Sequence, residues 1–124
     1  MPTRKPTDAE LAILRVLWSR GPSTVRQVAG AMDREVGYTT VLKLLQIMTE
    51  KGLVTRDESA RTHVYSAAFS EDQTQRQLVN DLVERAFDGS AAKLVMQALA
   101  SKKATPEELD EIRKLLNKPR GGSK

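Results

Sequence analysis

The sequence contains no cysteine, which excludes disulfide bonds, thiolate metal sites and a cysteine nucleophile. It contains one histidine, His63, so a metal cluster built from several histidines is excluded as well. Aromatic residues make up only 4% of the chain, and the core must therefore be built from leucine, valine, isoleucine, methionine and alanine. A core of this composition favours helices.

Long hydrophobic runs are also missing. No apolar run approaches the roughly 20 residues that cross a bilayer. The N-terminus, MPTRKPTDAE, lacks the apolar stretch of a secretory signal. Hydrophobic residues make up 40% and charged residues 29%, which is typical of a soluble globular chain. We therefore expect a cytoplasmic protein without membrane insertion.

The residue patterns of enzymes are absent. There is no glycine-rich phosphate loop, and no Ser-His-Asp order can be recognised around His63. The acidic pairs at residues 57–58 and 107–108 fall at a turn and at a helix start, where carboxylates are favoured for local reasons. The sequence therefore predicts a protein that is not an enzyme, with no catalytic residue, no metal and no cofactor.

Positive charge is concentrated in the first half of the chain. The formal net charge is +4, and residues 1–69 carry ten lysines and arginines against seven acidic residues. Residues 70–124 carry ten against nine, and three of those ten cations lie in the terminal stretch KPRGGSK. This distribution is compatible with a polyanionic partner for the first half.

Two short amphipathic helices are predicted near the N-terminus. The stretch TDAELAILRVLWSRG opens with Thr7 and Glu10 at the spacing of a capping box and ends at Gly21-Pro22. The stretch STVRQVAGAMDREVG gives a second helix, for which Ser23 is the predicted N-cap. In both, apolar residues recur every three or four positions and should face the core.

The stretch GYTTVLKLLQIMTEKGLV predicts a third helix that begins at Gly37 or Tyr38 and ends at Gly52. Successive residues advance by about 100° around a helix axis, which separates two arcs. The arc predicted to face the core contains Val41, Leu44, Leu45 and Met48. The opposite arc contains Thr39, Lys43, Gln46 and Glu50.

After Gly52 the apolar period changes from 3.6 to 2. The stretches LVTRD and THVYSAA are short, rich in valine, threonine and tyrosine, and flank the polar turn ESAR. They predict a β-hairpin. Three helices followed by a hairpin predict a winged helix-turn-helix domain over residues 1–69, in which the hairpin is the wing.

The remaining chain is predicted to be helical, which makes the fold class mainly α. Three amphipathic segments begin at the expected caps Ser70, Ser90 and Thr105. About 50 residues form a marginal core of their own, and burial against a second copy is the economical solution. We interpret residues 70–117 as a helical homodimerisation region and residues 118–124 as a basic flexible tail. The predicted dimer contacts are Leu78, Leu82, Val83, Phe87, Leu94, Leu109, Ile112 and Leu116.

The polar arc of the third helix suits DNA recognition. Base readout requires short polar and long cationic side chains near the N-terminus of a helix whose other face is packed. Thr39, Thr40 and Lys43 meet this requirement. Gln46 can reach an adenine edge or a phosphate, and Leu42 on the flank can pack on a thymine methyl.

Further predicted DNA contacts flank this helix. Arg61 at the wing turn, with Arg56 and His63 nearby, lies where a wing meets the backbone or the minor groove. Arg4 and Lys5, before the first helix, form a second predicted phosphate contact. Each residue taken alone favours an ordinary surface position over a DNA contact, and it is their arrangement around one fold that favours DNA binding.

The chain resembles the BlaI/MecI/CopY family of penicillinase-type repressors. The stretches that carry the resemblance are TDAELAILRVLWSRGPSTVRQV, YTTVLKLLQIMTEKGLVTRD and RTHVYSAAFSED. The later stretches LVNDLVERAFDGS and TPEELDEIRKLLNK resemble the C-terminal arm of that family. The resemblance spans roughly residues 7–117.

This resemblance implies a homodimeric transcriptional repressor with double-stranded operator DNA as its partner. Its relatives bind an inverted repeat with TACA/TGTA-like half-sites and block the promoters of antibiotic-resistance genes. By position, the resemblance assigns base recognition to Thr39, Thr40, Lys43 and Gln46 and the wing contact to Arg61.

Release of the operator follows two routes in this family. In one, a membrane-sensor protease cuts the C-terminal arm after a β-lactam is detected. In the other, metal exchange occurs at C-terminal cysteines, and the absence of cysteine excludes that route here. Where penicillinase repressors carry an Asn-Phe cleavage site, this chain carries Gln97-Ala98, the expected counterpart of that site.

Two alternatives stay open at this stage. A winged helix can dock a partner protein without sequence-specific DNA binding, and the polar arc would then be the rim of a protein interface. A regulator that senses a small molecule would need an apolar pocket. The operator sequence, the regulated genes and the inducing signal are not encoded in these patterns.

Overall fold

Six helices and one hairpin form the part of the chain that the computed structural model describes, residues 5–32 and 36–118. The elements are α1 (Asp8–Arg20), α2 (Val25–Ala31), α3 (Tyr38–Lys51), β1 (Val54–Asp57), β2 (Val64–Ala67), α4 (Glu71–Ala86), α5 (Ala91–Ser101) and α6 (Pro106–Asn117). The predicted mainly α fold with a winged helix-turn-helix is confirmed. None of the described helices is both long and apolar enough to cross a membrane.

The chain divides into two compact units, residues 1–79 and 80–124. The division falls inside α4, so the first turns of that helix belong to the winged-helix unit and its last turns to the second unit. The sequence predicted a boundary between the winged-helix domain and the dimerisation region at residues 69 and 70. This boundary lies earlier in the chain than the division between the two units, and it stays a prediction.

The core of the first unit lies where α1, α2 and α3 meet the hairpin. In α1, the fully buried side chains are Ile13 and Leu14, whereas the apolar residues Leu11 and Trp18 are only half-buried. The largest fully buried side chains are Tyr65, Ile13, Leu14, Leu45, Met48, Val28 and Val41. The helical spacing of the three α3 members fixes the rotation of α3 about its axis, because only one face can be packed.

The predicted helix ends are confirmed in α1 and α3. Thr7 Oγ1 accepts a hydrogen bond from Glu10 N at 3.2 Å, and Glu10 Oε1 accepts one from Thr7 N at 2.9 Å. Gly37 is the N-cap of α3. Gly52 ends α3 at φ 82°, a left-handed conformation that costs glycine little, and Leu53 N then donates to Met48 O at 2.9 Å.

The predicted N-cap of α2 is wrong. Thr24, not Ser23, caps α2: Thr24 Oγ1 accepts from Gln27 N at 3.1 Å, and the Gln27 side chain accepts from Thr24 N at 2.9 Å. Ser23 is buried and forms an antiparallel bridge with Tyr65. Ser23 N donates to Tyr65 O at 2.9 Å, and Tyr65 N donates to Ser23 O at 2.8 Å. The backbone N–H and C=O of Ser23 thus both pair with Tyr65 of the wing, and the next residue, Thr24, caps α2.

The wing is an antiparallel pair in which Arg56 lies opposite Tyr65 and Asp57 opposite Val64. Tyr65 anchors it, since this side chain is only 1% exposed. In the connection, Asp57 Oδ1 accepts a hydrogen bond from Ser59 N at 2.9 Å, which lowers the pKa of Asp57. The predicted hairpin is confirmed, and a third extended segment at Ser23 is added to it.

The second unit has little buried apolar surface. Among its described residues, Val83 is the one hydrophobic side chain that is buried. The predicted dimer contacts Phe87, Leu94 and Ile112 are half-buried, as is Leu78 at the end of the first unit. The exposed large hydrophobic residues of this second unit are Leu82, Val95, Met96, Leu99, Leu109, Leu115 and Leu116.

Candidate nucleic-acid interface

The outer face of α3 carries the residues predicted to contact bases. Burial of Val41, Leu45 and Met48 turns the opposite side of this helix to solvent. Leu42 is half-buried at the edge of that exposed side. The exposed predicted residues are Thr39, Thr40, Lys43 and Gln46.

A groove of about 300 Å³ lies beside this face, between the start of α2, the start of α3 and the wing. We call it the wing groove. Three of the residues predicted from sequence, Leu42, Arg61 and His63, meet there. The complete lining is Thr24, Val25, Arg26, Tyr38, Leu42, Arg61, Thr62, His63 and Tyr65. The structure thus brings Arg61 and His63 of the wing to the same depression as the start of α3.

The two arginines of the wing have different surroundings. Arg56 forms an ion pair with Glu58, and hydrogen bonding to the Tyr65 side chain, reinforced by Glu58, raises the pKa of Arg56. Arg56 is therefore engaged within the wing itself. Arg61 and His63 are exposed and line the wing groove, where a phosphate can reach them.

The predicted contact before α1 lies elsewhere. Lys5 is exposed and lines a separate small hollow with Phe69 and Leu78. Arg4 lies outside the described residues. The structure therefore does not bring Lys5 to the wing groove together with the other predicted DNA contacts.

Sequence reasoning missed Arg26 and Tyr38 as site residues. The guanidinium carbon of Arg26 lies 5.5 Å from the centroid of the Tyr38 ring, and both side chains line the wing groove. One signal was present in the sequence: with Val25 and Val28 facing inward, Arg26 must point outward from the start of α2. Its pairing with Tyr38 depends on how α2 packs on α3.

A buried ion pair holds α3 against α1. Lys51 Nζ lies 2.7 Å from Glu10 Oε1, and the Glu10 side chain is only 3% exposed. Burial opposes ionisation of Glu10 and raises its pKa. Hydrogen bonds from Lys51 and Thr7, together with the charge of Lys51, outweigh that effect, so the pKa of Glu10 is lowered.

Three packed helices, a hairpin wing and an exposed polar and cationic face on α3 define a winged helix-turn-helix regulator of transcription. The sequence model of the penicillinase repressor family matches residues 6–118, and the chain belongs to this family of DNA-binding transcriptional repressors. The resemblance inferred from the sequence is thereby confirmed.

The chain is also similar to several individual proteins. The chain is 32% identical over 112 residues to the transcriptional regulator BlaI of Mycobacterium tuberculosis, covering 88% of this chain and 80% of the relative. It is 20% identical over 111 residues to the penicillinase repressor of Staphylococcus aureus, covering 88% of each. A crystal structure of a probable transcriptional regulator from Pseudomonas aeruginosa is similar with a TM-score of 0.47 and 21% identity, covering 89% of this chain and 75% of that one.

Proposed function

We propose that the protein is a homodimeric repressor that binds an inverted-repeat operator with TACA/TGTA-like half-sites and thereby blocks promoters. The observation that carries this proposal is the exposed face of α3, where Lys43 and the neighbouring threonines lie beside the wing groove and its cations. Packing of the opposite face of α3 on the core presents these side chains as one rigid surface.

The proposed contacts fall into two groups. Thr39, Thr40, Lys43 and Gln46 contact base edges in the major groove, and Leu42 packs on a thymine methyl. Arg61 and His63 bind phosphates from the wing side, and Lys5 binds the backbone at a separate point, with Arg4 as its proposed neighbour. The first group sets the sequence, whereas the second sets position and affinity.

The second unit supports dimer formation. With Val83 as the one buried hydrophobic residue among those described there, this unit has too little core of its own. Exposed residues such as Leu82, Leu115 and Leu116 become buried if two copies pair through this unit. A dimer presents two recognition helices to successive major grooves, about one helical turn of DNA or a multiple of it apart.

Proteolytic release at Gln97-Ala98 is part of this proposal. Both residues are exposed in the last turns of α5, where Gln97 O accepts a hydrogen bond from Ser101 Oγ at 2.9 Å. A protease needs extended chain, so α5 has to unwind locally before a membrane-sensor protease can cut it. A fragment that ends at Gln97 in β-lactam-treated cells supports this route. Protein that stays intact in cells that have responded to the β-lactam contradicts it.

The decisive experiment is a binding titration with duplexes that carry an inverted TACA/TGTA-like repeat or a scrambled version of it. We expect tighter binding to the repeat, and a loss of affinity of roughly 10³-fold or more between 50 and 200 mM salt if about six phosphates are contacted. Equal and weak binding to both duplexes, with little salt dependence, contradicts DNA recognition and favours a winged helix that docks a protein.

A further inference from the structure

The wing groove contains cationic and hydroxyl side chains and is free of acidic ones. Among its described lining residues are three basic side chains, Arg26, Arg61 and His63, and two threonine hydroxyls, but no aspartate or glutamate. This is notable in a chain with 16 acidic residues. A polar groove with this donor set fits an anion that accepts several hydrogen bonds.

Arg26 lines this groove and lies over the ring of Tyr38. Its guanidinium carbon lies 5.5 Å from the centroid of the Tyr38 ring, within the range of a cation–π contact. A guanidinium has five N–H donors, and a cation–π contact with a ring leaves N–H groups available for a phosphate. Tyr38 is the first residue of α3, so the cation–π pair links the start of α2 to the start of α3.

We propose that Arg26, held over the Tyr38 ring, binds a phosphate of the operator backbone, and that the wing groove receives that DNA strand. This inference rests on the proposed operator binding and adds to it a contact that positions the recognition helix. When α3 lies in the major groove, the strand bordering that groove passes beside the start of α3, where Arg26 and Tyr38 lie.

Tyr38 acts in this arrangement as a positioning residue. An arginine already held in one orientation loses less conformational freedom when it binds phosphate than an unrestrained arginine does. The bidentate geometry of a guanidinium on two phosphate oxygens then adds directional strength. The ring should therefore contribute to DNA affinity only when Arg26 is present.

The test compares the salt dependence of DNA binding by Arg26→Gln with that of a matched control, Arg85→Gln. The control removes the same charge from an exposed position in the second unit. Each dimer loses two phosphate contacts in Arg26→Gln, so the slope of log affinity against log salt should become shallower by about 2. At 0.1 M salt each lost contact should weaken binding by roughly eight-fold. Arg85→Gln should leave the slope unchanged.

Two further results distinguish a phosphate contact from other roles. Arg26→Gln should weaken binding to the repeat and to the scrambled duplex by the same factor, because a phosphate contact carries no sequence information. Tyr38→Leu should weaken binding by about two- to five-fold per site in the wild-type background and have no effect in Arg26→Gln. Tyr38→Phe, which keeps the ring, should bind DNA as tightly as the wild-type protein does.

An unchanged salt slope in Arg26→Gln, or loss of discrimination between the two duplexes, overturns the inference. Circular dichroism melting of every variant identifies any loss of DNA affinity that is caused by unfolding. For such a variant, the salt slope is determined for the fraction that remains folded, and this slope decides whether a phosphate contact was lost. Binding of the wild-type dimer that is insensitive to salt and sequence overturns the proposed function itself. Salt-dependent wild-type binding that is weakened by Lys43→Ala but unaffected by Arg26→Gln overturns only the role of Arg26.

Discussion

At the scale of single residues, the pair of Glu10 and Lys51 couples the start of α1 to the end of α3. Glu10 completes the capping box of α1 and, with the same carboxylate oxygen, meets Lys51 Nζ. Thr7 and Glu10 could be assigned from the sequence because a capping box is a local pattern. Lys51 could not, since 41 residues separate it from Glu10 and only the packing of α3 on α1 brings them together.

Removal of Lys51 should therefore destabilise the fold. Lys51→Met leaves the Glu10 carboxylate buried without its cationic partner and should reduce the free energy of unfolding by about 1–3 kcal/mol. Lys43→Met, an exposed position on the same helix, is the matched control and should change stability by less than about 0.5 kcal/mol. Urea unfolding of both variants measures the difference, and equal midpoints contradict a stabilising role for the pair.

The same pair predicts a pH dependence. The pKa of Glu10 is lowered in the folded state, so its stabilising contribution is complete above the ordinary glutamate pKa and is lost as pH falls through the lowered value. Wild type should exceed Glu10→Gln in stability at neutral pH, and the two should converge in acid. The measurement is thermal melting of both proteins from pH 7 down to the lowest pH at which they still fold. A stability difference between wild type and Glu10→Gln that does not change with pH would refute the lowered pKa of Glu10.

Lys43 should affect DNA binding rather than folding. Lys43→Ala is expected to weaken operator binding by about 1–3 kcal/mol if its ammonium contacts a base edge, and the loss should be largest for duplexes in which that base is unchanged. A phosphate contact would instead reduce affinity equally for all sequences. Competition among duplexes with single substitutions in the half-site separates the two, and wild-type affinity for every duplex removes Lys43 from the interface.

At the scale of elements, most helix ends and the hairpin were predictable, whereas the N-cap of α2 and the bridge from Ser23 to the wing were not. Gly52 and the Thr105 cap with Pro106 follow local rules, and both are confirmed. Ser23 and Thr24 are both good N-caps by type, so the sequence could not decide between them. Thr24 is the N-cap because the backbone of Ser23 pairs with Tyr65 of the wing.

Two glycines, one at the end of α3 and one inside α2, give a matched test of the left-handed conformation that ends α3. Neither would bring a new Cβ within 4 Å of another group, so the backbone alone decides the effect of alanine. Gly52→Ala places a side chain at φ 82° and should destabilise by about 1 kcal/mol. Gly30→Ala, inside α2, should stabilise by up to about 1 kcal/mol. Shifts of the same sign in thermal melting would contradict this account of the end of α3.

At the scale of the whole molecule, the winged-helix unit and the second unit differ in how much of their apolar surface is buried. The first unit buries a continuous core that includes Tyr65 and Met48. The second unit leaves Leu115 and Leu116 about 69% and 77% exposed. The amphipathic pattern predicted helices in both units and apolar positions in the second unit for pairing with another copy, but only the fold shows how far each of these side chains is exposed.

Dimerisation can be tested at the exposed positions of that unit. Leu82→Asp combined with Leu116→Asp should convert the proposed dimer to monomer, because pairing through this unit would bury the two carboxylates among apolar side chains. Operator binding should then weaken steeply, since each monomer binds a single half-site.

The control adds the same two charges at exposed polar positions of the same helices, Asn80→Asp with Asn117→Asp. Sedimentation should report a dimer for the control and a monomer for the leucine variant. A leucine variant that sediments as a dimer and binds the operator normally places the dimer contacts elsewhere.

The bridge between Ser23 and Tyr65 has a consequence for the thermodynamics of association. It attaches the wing to the segment between α1 and α2, and the Tyr65 ring is fixed in the core. The chain entropy that a mobile hairpin would lose on contact with DNA is therefore lost during folding instead. We infer that the heat capacity change of operator binding reports removal of water and deformation of the duplex, with little contribution from ordering of the wing.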